Sequence, residues 1–465
     1  MTRIKYIFYV CFFPCLIFFL SSCATGRYYS QLQSSMEKED FGQALALAED
    51  SQSKYGDKNL FLYYLDTGML AHLNGSYEKS NLEFEKAKQL YSQNYTKSIS
   101  AGLFSLFTND NAVPYYGLPY EAAYINVFCS LNYVMLGKIN ESVVEARQAD
   151  NLFKKLVADS TGKAFYRDDG FVRYLMGLIY ENAGYINDAL ISYKLALKAY
   201  PNTISKTPAP DDLINSLYNA YLSLSMFDEA KNLKDKYPFV KKNNFANKGE
   251  LIVVNYNGIS PKKTEYFLQL SFDKAWLYYV NADMIQEDQE EAQRITSAAI
   301  SGLSKDTIKF SFPKYVRIPN SITSFSIKNN DGKSFMAQDM ATMMENYLTH
   351  YNATIYARTI ARAVGRYIIS KQITDNVEKN SGEKTGSIVN ALFNVANSLI
   401  EKADTRSWRS LPENINILKM PLEPGDHNLT LEFYDKNSNI VKTKNIQAKI
   451  ISNKKTFVII NSVGN

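Results

Sequence analysis

The sequence predicts an α+β multidomain chain: an α-solenoid of helical hairpins, then a β-sandwich-like part with an inserted helical hairpin. Three observations carry this. Small and aromatic residues recur in one frame through the first half. Short alternating apolar runs, parted by Gly- and Asn-rich turns, fill much of the second. Between two groups of those runs lie long stretches with helical spacing. The expected boundaries are a leader at 1–22, a tether at 23–30, helical repeats at 31–238, and a β-rich part at 239–465 with its insertion at about 334–403.

The leader comes first. Arg3 and Lys5 precede an apolar run from Tyr6 to Leu20. That run falls short of the roughly 20 residues a membrane-spanning helix needs, and suits a signal peptide. Leu20-Ser21-Ser22-Cys23 follows, in the pattern of a bacterial lipobox. Small residues precede the cleavage point, and a cysteine thiol is placed to accept diacylglycerol. The expectation is cleavage before Cys23, acylation there, and attachment to membrane lipid. An ordinary secretory signal with an incidental cysteine is the alternative. Ala24 follows, not aspartate, so in a two-membrane cell the outer membrane, facing the periplasm, is the expected address. Cys11 and Cys15 leave with the leader. Cys129 then has no intramolecular disulfide partner, and its apolar helical surroundings predict a buried, inert thiol.

The repeats are read from Gly184-Tyr185-Ile186-Asn187-Asp188-Ala189, with Tyr193, Ala196 and Pro201 after it and Met176-Gly177 and Tyr180 before it. Small residues where two helices cross, aromatics beside them and a closing proline make a tetratricopeptide-like unit. The frame recurs at Gly68, Gly75, Tyr77, Phe84 and Ala87, and at Tyr133, Gly137, Ile139, Ala146 and Ala149. Phe41, Ala44 and Ala48 suggest an earlier copy, and Tyr221, Phe227 and Ala230 a later one. The second-helix starts at 41, 77, 139, 186 and 227 are unevenly spaced, largely because of an insertion at about 92–119. Stacked units of this kind form a curved scaffold with a concave face. The first helices, Tyr63 to Leu73, Tyr124 to Leu136 and Phe171 to Tyr180, are expected to line it. Asp66, Asn126 and Arg173 are the candidate partner-binding positions there.

Beyond Tyr237-Pro238 the texture changes. Leu251-Ile252-Val253-Val254-Asn255-Tyr256 reads as a buried strand. Thr307 to Phe312, Ser321 to Lys328, Ile415 to Leu418, Leu429 to Phe433, Ile440 to Ile446 and Thr456 to Ile460 read as further strands. In the insertion, Arg358, Arg362 and Arg366 form one stripe and Ile360, Val364 and Ile368 another. The face is basic and either solvated or turned to anionic lipid. Asp404, Arg406 and Trp408 are the polar cluster of interest. Either Asp404 pairs with Arg406 while Trp408 plugs the core, or Arg406 and Trp408 stand exposed to bind glycan or protein.

The stretch from Gly68 to Phe153 resembles an uncharacterised family of bacterial tetratricopeptide-repeat-containing lipoproteins. Asn109-Asp110, Pro114-Tyr115, Tyr120-Glu121, Ser130-Leu131-Asn132-Tyr133, Leu136-Gly137 and Val144-Glu145-Ala146-Arg147 carry the resemblance. So do Gly249 to Val253, Arg358 to Arg366, Ala403 to Trp408 with Leu411-Pro412, and Pro424 to His427. Gln148 and Ser142 depart from the family pattern, where arginine and alanine are usual. The resemblance implies an envelope lipoprotein and no particular chemistry. The family's layout is similar to that of lipoproteins that activate peptidoglycan synthases.

The net charge of +5 includes Arg3 and Lys5, so the remainder is nearly balanced. That argues against a nucleic-acid partner. His72, His350 and His427 lie in unrelated segments, and no phosphate loop, dinucleotide fingerprint or nucleophile elbow occurs. No cofactor, metal or catalytic residue is expected. The expected function is a protein-interaction scaffold or regulator on the envelope, with cell-wall synthesis as one setting and an envelope protein as partner. Two alternatives stand beside it: a wall-glycan enzyme with unassigned carboxylates, and an adhesin-like surface protein.

Overall fold

The computed structural model describes residues 28–100, 113–158, 165–243, 247–271, 307–330, 332–352, 355–356, 359 and 402–464. Cys23, the basic stripe through Arg358, Arg362 and Arg366, and the second helix of the insertion lie outside the described residues.

The described residues of the first half fold as five helical hairpins. A helix over residues 28–37 (α1) pairs with α2 (Phe41–Glu49), and α3 (Leu60–Leu73) with α4 (Tyr77–Ser100). Then α5 (Pro119–Met135) pairs with α6 (Ile139–Ala158), α7 (Gly170–Asn182) with α8 (Ile186–Ala199), and α9 (Asp211–Ser223) with α10 (Phe227–Lys236). Each hairpin turns the same way. One residue takes a left-handed conformation: Glu39, Gly75, Gly137, Gly184 or Ser225. The next residue's N–H reaches back five positions to the first helix: Asp40 to Ser35 (2.9 Å), Ser76 to Ala71 (2.8 Å), Lys138 to Tyr133 (2.8 Å), Tyr185 to Tyr180 (2.9 Å) and Met226 to Tyr221 (2.9 Å). This is the Schellman closure of a helix end. The second helix starts one residue later, at positions 41, 77, 139, 186 and 227.

Close helix crossing explains the small residues. A Cβ placed on Gly68 would lie 2.7 Å from the Phe84 ring, and one on Gly177 would lie 2.4 Å from the Tyr193 ring. In the third hairpin a serine takes that position, and Ser130 Oγ donates to the carbonyl of Ser142 at 2.9 Å. The N-terminal helical region is therefore tetratricopeptide-like in its packing as well as its phase.

The second half contains β1 (Gly249–Asn257), β2 (Lys262–Ser271), β3 (Thr307–Val316), β4 (Ser324–Ile327), β5 (Phe335–Asp339), β6 (Asn414–Leu422), β7 (Gly425–Tyr434), β8 (Ile440–Ile450) and β9 (Lys455–Ser462). Among the described residues a four-stranded sheet runs β5-β6-β1-β9, a three-stranded sheet β4-β7-β8, and β2 pairs with β3. The four-stranded sheet is mixed: β1 is antiparallel to β6 and parallel to β9. Two elements differ from the sequence reading. β2 was not foreseen. Phe335–Asp339, assigned to the helical insertion, is a strand on β6, and helix begins only at residue 340. No turn residue separates that strand from the helix, so the sequence carries no punctuation there.

The four-stranded sheet is the middle layer. Leu251, Val253, Leu418, Met420 and Ile460 face Phe325, Leu431, Phe433 and Ile446 of the three-stranded sheet. On the other face Ile252, Val254, Tyr256, Ile415, Ile417 and Phe457 belong to one apolar core with the helical hairpins. Every residue of β1 is buried. The helical and β-rich parts thus share a core.

Candidate functional site

The concave face, lined by the first helices of the hairpins, is where a repeat scaffold would hold a partner. Here the chain's own four-stranded sheet and the segment before β6 fill it. Helices α3, α5 and α7 show the consequence: nearly every residue from Phe61 to His72, from Tyr120 to Asn132 and from Gly170 to Tyr180 is buried.

Among the polar contacts that cross this internal junction, four groups centre on Asp66, on His72, on Glu121 with Arg406, and on Asp169. In the first, Asp66 of α3 accepts from Ser410 Oγ (2.7 Å), the Ser410 N–H (3.2 Å) and Tyr55 OH (2.9 Å). Tyr55 OH also meets Tyr28 OH at 3.0 Å. Burial raises the Asp66 pKa, and those hydrogen bonds oppose the rise. In the second, His72 Nδ1 lies 2.5 Å from Asn132 Oδ1 and Nε2 lies 2.9 Å from Tyr256 OH. The Asn132 amide nitrogen already donates to Ser80 and Asn81. We therefore assign the proton to Nδ1, with Nε2 accepting from Tyr256. Burial lowers the His72 pKa to about 4.

In the third group, Glu121 accepts from Tyr115 OH (2.9 Å) and the Leu118 N–H (2.8 Å), and burial lifts its pKa to about 7. Arg406 pairs with Asp404 at 2.8 Å and donates to Val113 O (2.9 Å) and Asn59 Oδ1 (3.3 Å), clamping its segment to the helices. Trp408 is wholly buried between Phe84 and Phe128, with ring centroids 5.9 and 5.7 Å away. Its Nε1–H donates to Ser410 Oγ at 2.9 Å. In the fourth, Asp169 caps α7 through the Val172 N–H (3.0 Å) and accepts from Tyr166 OH (3.0 Å) and Gln338 Nε2 (3.2 Å). Burial raises its pKa to about 6. Further along, Lys419 joins Asp212 (2.9 Å) and Ser216 (3.0 Å) of α9, and Lys455 joins Glu181 of α7 (3.0 Å).

The expectation that Asp66, Asn126 and Arg173 stand open on the concave face is corrected. All three are buried. Asp66 is bound to the chain's own Ser410. Arg173 is turned toward α6, where it pairs with Asp150 and lies over the Phe153 ring at 4.6 Å, and it also pairs with Asp168 just before α7 at 2.7 Å. Asn126 donates to Ala122 O at 3.1 Å and lines an outward cavity of about 260 Å³ with Lys88, Tyr91, Gln148 and Lys155. Arg406 and Trp408 come together, but inside the molecule; an exposed Trp408 is corrected too. The sequence reading missed Glu121, His72 and Asp169 as junction residues. One signal was present: α3 is apolar all round, whereas a helix of an open groove keeps a polar stripe.

These shifted groups give a pH prediction. A carboxyl whose folded pKa is raised contributes stability below its unfolded value, and loses it as pH rises through the folded one. For Glu121 that window runs from 4.5 to about 7. His72 acts oppositely: its contribution is full above 6.5 and is lost as pH falls through about 4. Glu121→Gln should therefore flatten the fall in stability between pH 4.5 and 7 by an amount on the order of 3 kcal/mol. Urea denaturation across that range measures it. An unchanged slope would show that burial does not raise the Glu121 pKa above its unfolded value.

Among the described residues no group of three or more His, Cys, Asp or Glu could hold a metal ion, and no helix is long and apolar enough to cross a membrane. Cys129 is buried. The chain matches no known protein family and no curated protein. Among solved structures it is similar to BtubC from P. vanneervenii, at 16% identity over 48% of this chain and 85% of that one, with a TM-score of 0.31. It is also similar to MamA, in one crystal structure at 16% identity over 47% of this chain and 98% of that one (TM-score 0.29), and in the AMB-1 protein at 16% identity over 46% and 90% (TM-score 0.28). The hairpins of this chain are identified by their own turns and crossings, not by these likenesses.

Proposed function

We propose that this chain is a non-enzymatic envelope scaffold, anchored to the membrane through acylated Cys23, that docks a protein partner on the outer faces of its second helices. Acylation rests on the lipobox alone. An outer-membrane, periplasm-facing address follows from Ala24, and a setting in wall synthesis from the family resemblance. With the concave face filled by the chain's own sheet, the partner surface lies elsewhere.

One observation carries the docking reading. Leu82, Val144 and Ile191 each stand five residues into their helices, α4, α6 and α8. They are 58, 50 and 49% exposed. Equivalent positions of stacked repeats face the same way, so the three make an apolar row that a folded monomer has no need of. The partner it fits presents an apolar face of its own.

The triple change Leu82→Glu, Val144→Glu, Ile191→Glu tests this. Exposed positions tolerate such changes within about 0.5 kcal/mol each, so folding should persist. Crosslinked partner recovered from envelopes should fall about tenfold or more, as loss of an interface centre implies. Undiminished recovery from a folded triple variant would rule the row out.

A further inference from the structure

We infer that the surface around Tyr28, where the described chain begins, is a docking face for anionic lipid headgroups. The inference rests on acylation of Cys23 and fixes which side of the molecule lies on the bilayer. Tyr28 is only 1% exposed, bonded to Tyr55, and its ring lies tilted against that of Tyr29 with centroids 5.0 Å apart. It is five positions beyond Cys23. A fully extended chain of that length reaches at most about 18 Å. An acylated Cys23 therefore holds the surface around Tyr28 close to the headgroups, whatever path the tether takes.

That surface has the composition of a membrane interface. Tyr29 is half-buried, and Lys54 and Lys58 are exposed. Lys54 Nζ lies 5.2 Å from the Tyr28 ring centre, and the Arg409 guanidinium lies 3.7 Å from that of Tyr29. Neither Lys54 nor Lys58 has an ion pair among the described residues; Asp57 is the exposed carboxylate between them. Tyrosines and long cations place apolar stems at the bilayer boundary while their polar ends stay with the headgroups. A cation near an anionic leaflet contributes about fivefold in binding, so the two lysines together contribute about 25-fold.

The test uses the chain from Cys23 onward. Coupled through Cys23 to a maleimide lipid in phosphatidylglycerol-containing vesicles, it is labelled with an amine reagent. Lys54 and Lys58 should label severalfold more slowly than in detergent micelles, while Lys436, exposed on the β7–β8 turn, is unchanged. Untethered Cys23→Ser chain should bind the same vesicles weakly, lose binding in high salt, and lose about 25-fold when Lys54→Gln and Lys58→Gln are added. Equal labelling of all three lysines, or vesicle binding indifferent to the double change, overturns the docking face. The mass of the N-terminal peptide from native envelopes is read separately. A docking face without a diacylglyceryl adduct would leave the surface standing and remove the anchor.

Discussion

Replacing Trp408 with alanine is expected to destabilise the chain by about 3–5 kcal/mol, the cost of emptying a buried aromatic site. That is a large part of the roughly 5–15 kcal/mol that separates folded from unfolded domains. Trp408 sits where both parts of the molecule meet: its ring contacts Phe84 of α4 and Phe128 of α5, and its Nε1–H holds the Ser410 hydroxyl that donates to Asp66. Trp408→Phe should cost less, since a ring remains, but it leaves Ser410 without that donor. Because the core is continuous, the loss should appear in helices and strands alike. Amide exchange should speed up together in α3, α5 and β1. Faster exchange confined to the strands would show that the two parts unfold separately, contrary to a shared core.

The second large effect concerns the helical hairpins by themselves. From the sequence they look like a free-standing module able to capture a partner. In the structure their concave side is apolar and covered, so a chain of residues 28–238 alone should not fold to a cooperative state. Ile252, Val254, Tyr256, Ile415 and Ile417 would be gone from the core that α3, α5 and α7 share with them. Asp66, His72 and Asp169 would lose Ser410, Tyr256 and Gln338 as partners. The excised segment should bind a hydrophobic dye, aggregate, and melt without a sharp transition. Co-expression with residues 239–465 should restore a soluble complex. A sharp two-state melt of the excised segment, at the stability of the whole chain, would mean that the sheet is an accessory and the groove can open.

What periodicity reads well here is local. The hairpin starts at 41, 77, 139, 186 and 227 were legible because each turn is closed by a hydrogen bond spanning five residues, with glycine marking three of the five left-handed positions. β1 was legible from the apolar run Leu251 to Val254, and that run already required cover on both faces. β2 was missed because Lys262-Lys263-Thr264-Glu265 opens it without alternation, and β5 because it passes into helix without a turn.

The sequence by itself determined the repeat phase, the order of helices before strands, and the burial of Cys129. Tertiary structure alone decided what occupies the concave face. The contacts that settle it join Asp66 to Ser410, His72 to Tyr256 and Gln338 to Asp169, separated by 344, 184 and 169 positions. Hydrophobic spacing states only that a face must be covered. Which segment covers it follows from shape and from satisfying Asp66, Glu121 and His72 once water has been excluded. The residues singled out as partner-binding therefore became the chain's own internal junction.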